Sequence, residues 1–310
     1  TLVLKPSPLT PFQALLLGEA ASEAGLPHGV LNIVNGGDEI GAALTTDTRV
    51  DVLSFTGSDR VGAKIAEQGS ATMKRVLLEL GGKSPLIVKA DANLDMSAKI
   101  ALRGFTAHAG QGCAMFTRAL VHNSIRQNFV ERIKELSKSV VVGDPSNPAT
   151  TTGPLITAAQ RDNVERSVRS AIDQGAKLVF GGNRPSHLHT GFYFEPTLFD
   201  EVDNCSSIAQ EEVFGPVGCV VGFDSDEEAI QLANDSKFGL RAAIMSADTG
   251  LAYEMAQKLR VGQVLINGGS LTALSDAPFG GLKRSGYGRE GGDEGYLAFT
   301  EPRSIEYHAG

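Results

Sequence analysis

Val52-Leu53-Ser54-Phe55-Thr56-Gly57-Ser58-Asp59-Arg60-Val61-Gly62 passes from a short β-type run through a glycine turn into residues with helical spacing. Val52 to Phe55 predicts a strand and Ser58 to Gln68 a helix, and the apolar run Val76 to Leu80 predicts a second strand. Upstream, Leu2 to Leu4 and Val30 to Val34 read as strands, with a helix over Phe12 to Ala24 that stops at Gly25. Downstream come a strand at Pro85 to Val88, a helix over Leu94 to His108, a strand at Ala119 to His122, helices over Ile125 to Ser139 and Ala158 to Gln174, and a strand at Leu178 to Phe180. Further helices are predicted at Asp224 to Ala233 and Thr249 to Leu259, and a β-like tail at Arg303 to Tyr307. This alternation predicts an α/β protein built on parallel sheet.

With 310 residues and 42% hydrophobic content, the chain has material for two domains with cores of their own. The formal net charge of −8 and the dispersed basic residues argue against a nucleic-acid or acidic-lipid partner and favour a small molecule. Three cysteines, Cys113, Cys205 and Cys219, form neither a disulfide framework nor a zinc set, which points to a reducing, cytoplasmic compartment. No apolar run reaches the roughly 20 residues of a membrane-spanning helix. Thr1 opens directly into a β-type run, and the chain reads as a fragment.

Gly110-Gln111-Gly112-Cys113 surrounds one thiol with small residues, leaving room for a carbonyl to approach the sulfur. A single cysteine is commonly an apolar filler; its context here is Leu78-Glu79-Leu80-Gly81-Gly82-Lys83-Ser84-Pro85, where a carboxylate between apolar neighbours precedes a glycine pair. Burial there raises a carboxylate towards the range of a useful base. The Phe55 to Gly62 turn offers backbone N–H groups and a helix start to a phosphate, with Ser58 as an added donor, although it lacks the G-x-G-x-x-G pattern. Lys5, followed by Pro6-Ser7-Pro8, stands at the carboxyl edge of the first strand. His187 and His189 lack a third ligand and predict no metal.

Lys5-Pro6-Ser7, Phe55-Thr56-Gly57-Ser58, Leu78 to Lys83, Gly110 to Cys113, Glu211-Glu212-Val213-Phe214-Gly215-Pro216 and Pro278-Phe279-Gly280-Gly281 together resemble the aldehyde dehydrogenase superfamily, in order and spacing over nearly the whole chain. The resemblance implies part of a Rossmann-type dinucleotide domain over residues 1–81, a second α/β catalytic domain over 82–285, and a return segment with an oligomerisation strand over 286–310. It implies Cys113 as nucleophile and Glu79 as the base that activates water. The implied cofactor contacts, to NAD or NADP, are Lys5, Gly57, Ser58, Gly62, Leu80, Glu212 and Phe214. Gly112, Ala114 and Phe279 would line the substrate funnel. The implied reaction oxidises an aldehyde through a thiohemiacetal and thioester on the cysteine, in a homodimer or homotetramer, with Glu79 favouring hydrolysis over transfer to coenzyme A.

Two departures from the family pattern carry expectations. The motif supplying a second oxyanion donor, an asparagine, is absent, so the chain by itself is expected to be inactive. Pro8 stands where many NAD-preferring relatives carry a glutamate, so use of NADP is expected beside NAD. No charged anchor for a carboxylate-bearing aldehyde is evident in the sequence.

Overall fold

β-branched and aromatic runs form the strands and the amphipathic stretches form the helices, over residues 1–269, 276–308 and 310 of a computed structural model. The segment 268–277, part of the substrate tunnel on sequence grounds, lies outside the described residues over 270–275. Two compact units result, residues 1–54 with 60–76 and residues 55–59 with 77–310.

The first unit contains β1 (Leu2–Leu4), α1 (Phe12–Glu23), β2 (Leu31–Ile33), α2 (Asp38–Thr46) and most of β3 (Val52–Thr56) and α3 (Asp59–Ser70). β1 and β2 pair in parallel, Leu2 opposite Leu31 and Leu4 opposite Ile33. Lys74 ties down the turn after α2, its ammonium donating to the carbonyls of Asp47 (2.6 Å) and Val50 (2.8 Å).

The second unit takes in the end of β4 (Arg75–Glu79) and then β5 (Pro85–Val88), α4 (Leu94–Thr106), β6 (Arg118–His122), α5 (Asn123–Ser137), α6 (Ala158–Asp173), β7 (Lys177–Phe180), β8 (Thr197–Asp200), α7 (Ser207–Gln210) and β9 (Val217–Phe223). α8 (Asp226–Asn234), β10 (Phe238–Gly239), β11 (Arg241–Met245), α9 (Thr249–Ala256), β12 (Gln263–Ile266), β13 (Leu282–Lys283), β14 (Gly286–Tyr287) and α10 (Gly292–Leu297) follow. Its main sheet has the order β12-β11-β5-β6-β9-β8-β7. Every pair in it is parallel except β7 with β8, so the edge strand departs from the all-parallel expectation.

Alternation along the strands divides the core into two layers. Ile87, Leu120, Val221 and Ile244 pack with α6, α8 and α9 through Val164, Val168, Ala229, Ala252 and Met255. Leu86, Val88, Val121 and Val220 pack on the other face with α4 and α5 through Ala98, Phe105, Phe129 and Ile133. Helix starts are fixed by side-chain caps: Asn93, Thr157, Ser225 and Asp248 accept from the backbone N–H three residues on.

Local sequence misleads at one informative place. Helical spacing runs on to His108, but α4 ends at Thr106, and His108, Ala109 and Gly110 adopt φ of +51°, +54° and +70°. Backbone contact overrides propensity there: a Cβ on Gly110 would lie 2.0 Å from the Gly215 carbonyl oxygen.

Candidate active site

Glu79 ends β4, which pairs antiparallel with β14, Glu79 opposite Gly286. Its side chain is 2% exposed, and neither carboxylate oxygen has a hydrogen-bond partner among the described residues. Burial, with Glu290 adding to it and Arg289 opposing, lifts its pKa to about 7. Gly280 leaves the space in front of it open, since a Cβ there would fall 2.8 Å from Glu79 Oε1.

The backbone after Glu79 is anchored by Ser285, which is fully buried. Its carbonyl accepts from Leu80 N–H (3.0 Å), its hydroxyl donates to the Gly81 carbonyl (2.7 Å), and the same hydroxyl accepts from Gly239 N–H (3.0 Å). Glu212 reaches this turn and accepts from Gly82 N–H at 3.0 Å. Neither glycine has room for a side chain: a Cβ would meet Glu212 Oε2 at 2.2 Å from Gly81 and the Cys113 carbonyl oxygen at 2.5 Å from Gly82. The glycine pair therefore lets Glu212 and the cysteine loop close on the strand end together. Glu212 is raised above the ordinary carboxylate range by burial, against the Gly82 N–H and Lys83, which lower it.

Cys113 sits in the loop between the turn 107–110 and β6, partly accessible and unpaired. Gln111 fixes that loop, donating to the carbonyls of His108 (3.1 Å) and Pro154 (3.3 Å) and accepting from Ile156 N–H (2.9 Å). The thiol is pushed up chiefly by burial, then by Glu212 and Glu79, while the Cys113 and Ala114 N–H groups pull it down. At neutral pH the thiol is therefore protonated and needs a base.

Residues 213–214 are held from α6, where Gln160 donates to the Val213 and Phe214 carbonyls, both at 2.9 Å. Phe214 takes a φ of +52°, which leaves its ring 38% exposed next to Glu212. Gly57 and Ser58 stand immediately before α3, and Gly57 N–H donates to the Glu79 carbonyl at 3.0 Å. Leu80 is buried behind the glycine turn, Gly112 packs on Met115, and Ala114 and Phe279 are half-buried. Lys5 and Gly62 belong to the first unit, where the Lys5 ammonium donates to the Pro6 carbonyl at 3.0 Å. Among the described residues no group of three or more His, Cys, Asp or Glu side chains could hold a metal.

Two polar residues of this region carried no signal in the sequence. Arg241, at the start of β11, is 8% exposed, donates from Nε to Gln263 Oε1 at 2.6 Å, and lies with its guanidinium carbon 5.7 Å from the centre of the Phe279 ring. Both come from separate strands, so no local motif could have joined them to Phe279.

Residues 1–305 match the profile of the aldehyde dehydrogenase family. A Staphylococcus haemolyticus relative is 42% identical over 305 residues, covering 98% of this chain and 64% of its own length. The solved Mycobacterium tuberculosis aldehyde dehydrogenase complexed with NAD+ superposes with a TM-score of 0.94 at 42% identity, covering 97% of this chain and 62% of that one. Betaine aldehyde dehydrogenase from Staphylococcus aureus, in complex with NAD+, gives 0.94 at 37% identity, covering 100% of this chain and 64% of that one. The chain thus spans a little under two thirds of the length of these relatives, and throughout that span it belongs to the aldehyde dehydrogenase family.

Proposed function

We propose that this chain carries the nucleophile and the water-activating base of an NAD(P)-dependent, hydrolytic aldehyde dehydrogenase. The observation that carries the reading is Glu79, a buried carboxylate with no hydrogen-bond partner and a pKa of about 7, on the strand end against which the Cys113 loop closes. A base poised near neutrality both accepts a proton and releases it within one cycle.

Loss of the Cys113 thiol proton to Glu79, directly or through water, offsets the burial that keeps the sulfur neutral. Addition of the thiolate to an aldehyde gives a thiohemiacetal whose oxygen is negative, and the Cys113 N–H is the proposed donor to it. Such a donor contributes about 3 kcal/mol in the transition state. A nicotinamide dinucleotide, when bound, supplies the hydride acceptor that leaves a thioester on Cys113. Glu79, having passed the thiol proton on to solvent, then takes a proton from water as the hydroxide adds to the thioester carbonyl, and the sulfur leaves as a thiolate while the carboxylic acid forms.

The cofactor fits what the second unit offers. Glu212 presents a carboxylate to a side of the turn that only glycine leaves clear, Phe214 exposes an aromatic ring beside it, and Gly57 and Ser58 precede a helix start. Leu80 backs the turn. For the first unit the same proposal assigns Lys5 and Gly62 as cofactor contacts. Gly112, Ala114 and Phe279 are the proposed substrate lining. Three unpaired cysteines support a reducing, cytoplasmic location, and no described helix is long and apolar enough to cross a membrane. Assembly as a homodimer or homotetramer is part of the same proposal; residues 303–307, expected as a β-like tail, are not a strand in this structure, and Ile305 and Tyr307 there are exposed.

p-Nitrophenyl acetate acylates a nucleophilic thiol without cofactor and so tests base and nucleophile on the chain itself. An acetyl group on Cys113, followed by peptide mass spectrometry, is expected to clear from the native chain and to persist in Glu79→Gln. Clearance at the same rate in both would overturn the role of Glu79. Absence of acetyl on Cys113 would overturn the nucleophile.

A further inference from the structure

Arginine side chains that are 8% exposed ordinarily have their guanidinium fork filled, because each unpaired N–H in a buried setting is costly. Arg118 shows the usual solution: its two Nη atoms donate to Asn204 Oδ1 and to the Leu232, Asp235 and Ala233 carbonyls at the end of α8. Arg241 differs. Its hydrogen bonding is confined to Nε on Gln263, and it forms no ion pair among the described residues. Neither Nη atom is among the sealed polar atoms without a partner, so both keep contact with open space.

Three contacts place that open space. Leu240, the residue before Arg241, lies 3.4 Å from a Cβ built on Gly82, whose other neighbour is the Cys113 carbonyl oxygen. Phe279, over whose ring the guanidinium lies, is followed by Gly280, which faces Glu79 Oε1. Cys113 also lies within electrostatic reach of Arg241, raising the arginine pKa against the lowering by burial. The guanidinium thus sits on the Phe279 side of the nucleophile, oriented by Gln263 and by the ring, with two parallel donors left over. That is the geometry with which arginine takes a carboxylate in a bidentate pair.

We propose that Arg241 is a specificity-determining residue that binds the anionic group of the substrate, and that the substrates of this site are aldehydes bearing a carboxylate. The proposal rests on the reading of Cys113 as the nucleophile. It gives the site a cation to set against the Glu79 and Glu212 carboxylates, which by themselves would repel such a substrate. Gln263 and Phe279 act as positioning residues, holding Nε and one face of the guanidinium so that Nη1 and Nη2 face the substrate.

Iodoacetate and iodoacetamide test this without cofactor, acyl transfer or turnover. The two reagents are near-isosteric and both consume thiolate, so the ratio of their rates at Cys113 cancels any change in thiol pKa. Peptide mass spectrometry separates Cys113 from the exposed Cys205. In the native chain iodoacetate labelling is expected to saturate and to be slowed by succinate but not by succinamide. Arg241→Gln is expected to lower the iodoacetate-to-iodoacetamide ratio about tenfold, whatever it does to the absolute rates, and Arg241→Lys to retain part of the preference. An unchanged ratio in Arg241→Gln overturns the proposal. If that variant fails to fold, seen as loss of helical circular dichroism, protection of the native chain decides: equal protection by succinate and succinamide, or none by either, overturns it. Failure of the acylation assay on Cys113 refutes the proposed function separately, since it does not involve Arg241.

Discussion

Replacing Glu79 by glutamine should make the protein relatively more stable at alkaline pH. A carboxyl whose folded pKa stands at about 7 against an ordinary value of 4.5 favours the folded state in its neutral form. Its contribution is fully present below the unfolded pKa, near 4.5, and is lost as pH rises through the folded pKa, near 7. The shift converts to no more than about 3 kcal/mol at 1.36 kcal/mol per pH unit, and relaxation of the ionised group lowers that ceiling. Glutamine carries no titration but leaves a buried amide without a partner, at a cost of about 1–3 kcal/mol at every pH. The informative quantity is therefore the difference between mutant and native stability at pH 8.5 minus the same difference at pH 5. Urea unfolding followed by far-UV circular dichroism measures it in a chain that has no tryptophan. We expect a relative gain for Glu79→Gln of about 1–3 kcal/mol, developing between the two pKa values and complete a little above pH 7. A difference that is flat with pH, or one of opposite sign, would show that Glu79 is ionised without penalty in the native state and would refute the argument.

Gly110→Ala places a Cβ on a residue at φ +70° and 2.0 Å from the Gly215 carbonyl. A loss of about 2–4 kcal/mol is expected, with a lower melting temperature by circular dichroism and slower labelling of Cys113; a neutral substitution would mean the 107–110 turn is not as constrained as its geometry requires. Arg118→Met removes the side chain that holds the end of α8 and takes the donor away from Asn204 Oδ1 and from the Leu232 and Ala233 carbonyls, for an expected loss of about 3–5 kcal/mol in urea unfolding. Glu212→Gln keeps the shape of the contact to Gly82 but removes a charge that raises the Cys113 pKa. Iodoacetamide labelling of Cys113 as a function of pH is expected to shift to lower pH in that variant, and an unmoved profile would contradict the coupling.

Period-2 and helical spacing sufficed for most elements of the α/β fold because burial enforces them: Pro85–Val88 is a strand with all four residues buried, and Ala158–Asp173 is a helix with one apolar face. β8, β9 and β11 escaped notice because burial of nearly every residue, with polar Thr, Asp or Arg among them in β8 and β11, leaves no period of two, and β12 because it is a four-residue, partly exposed edge strand. Cys113, Glu79 and the glycine pair were legible from local composition, since small residues around a thiol and a carboxylate in an apolar run are visible in one dimension. Ser285, Gln263 and Arg241 were not, because their roles come from segments far apart in the chain. The loop 107–110 was misread for a related reason: the carbonyl that fixes Gly110 belongs to Gly215.

The hydroxyl of Ser285 that holds Gly81 closes a separation of 204 residues. During synthesis, at roughly 5–20 residues per second, Cys113 leaves the ribosome within seconds of Glu79, whereas Ser285 follows on the order of ten to forty seconds later. The proposed nucleophile and base are therefore made close together in time, and the clasp that sets one against the other follows well after both. Maturation of the site waits on the synthesis of Ser285, and a nascent product that stops short of it would display a thiol without the machinery that governs it.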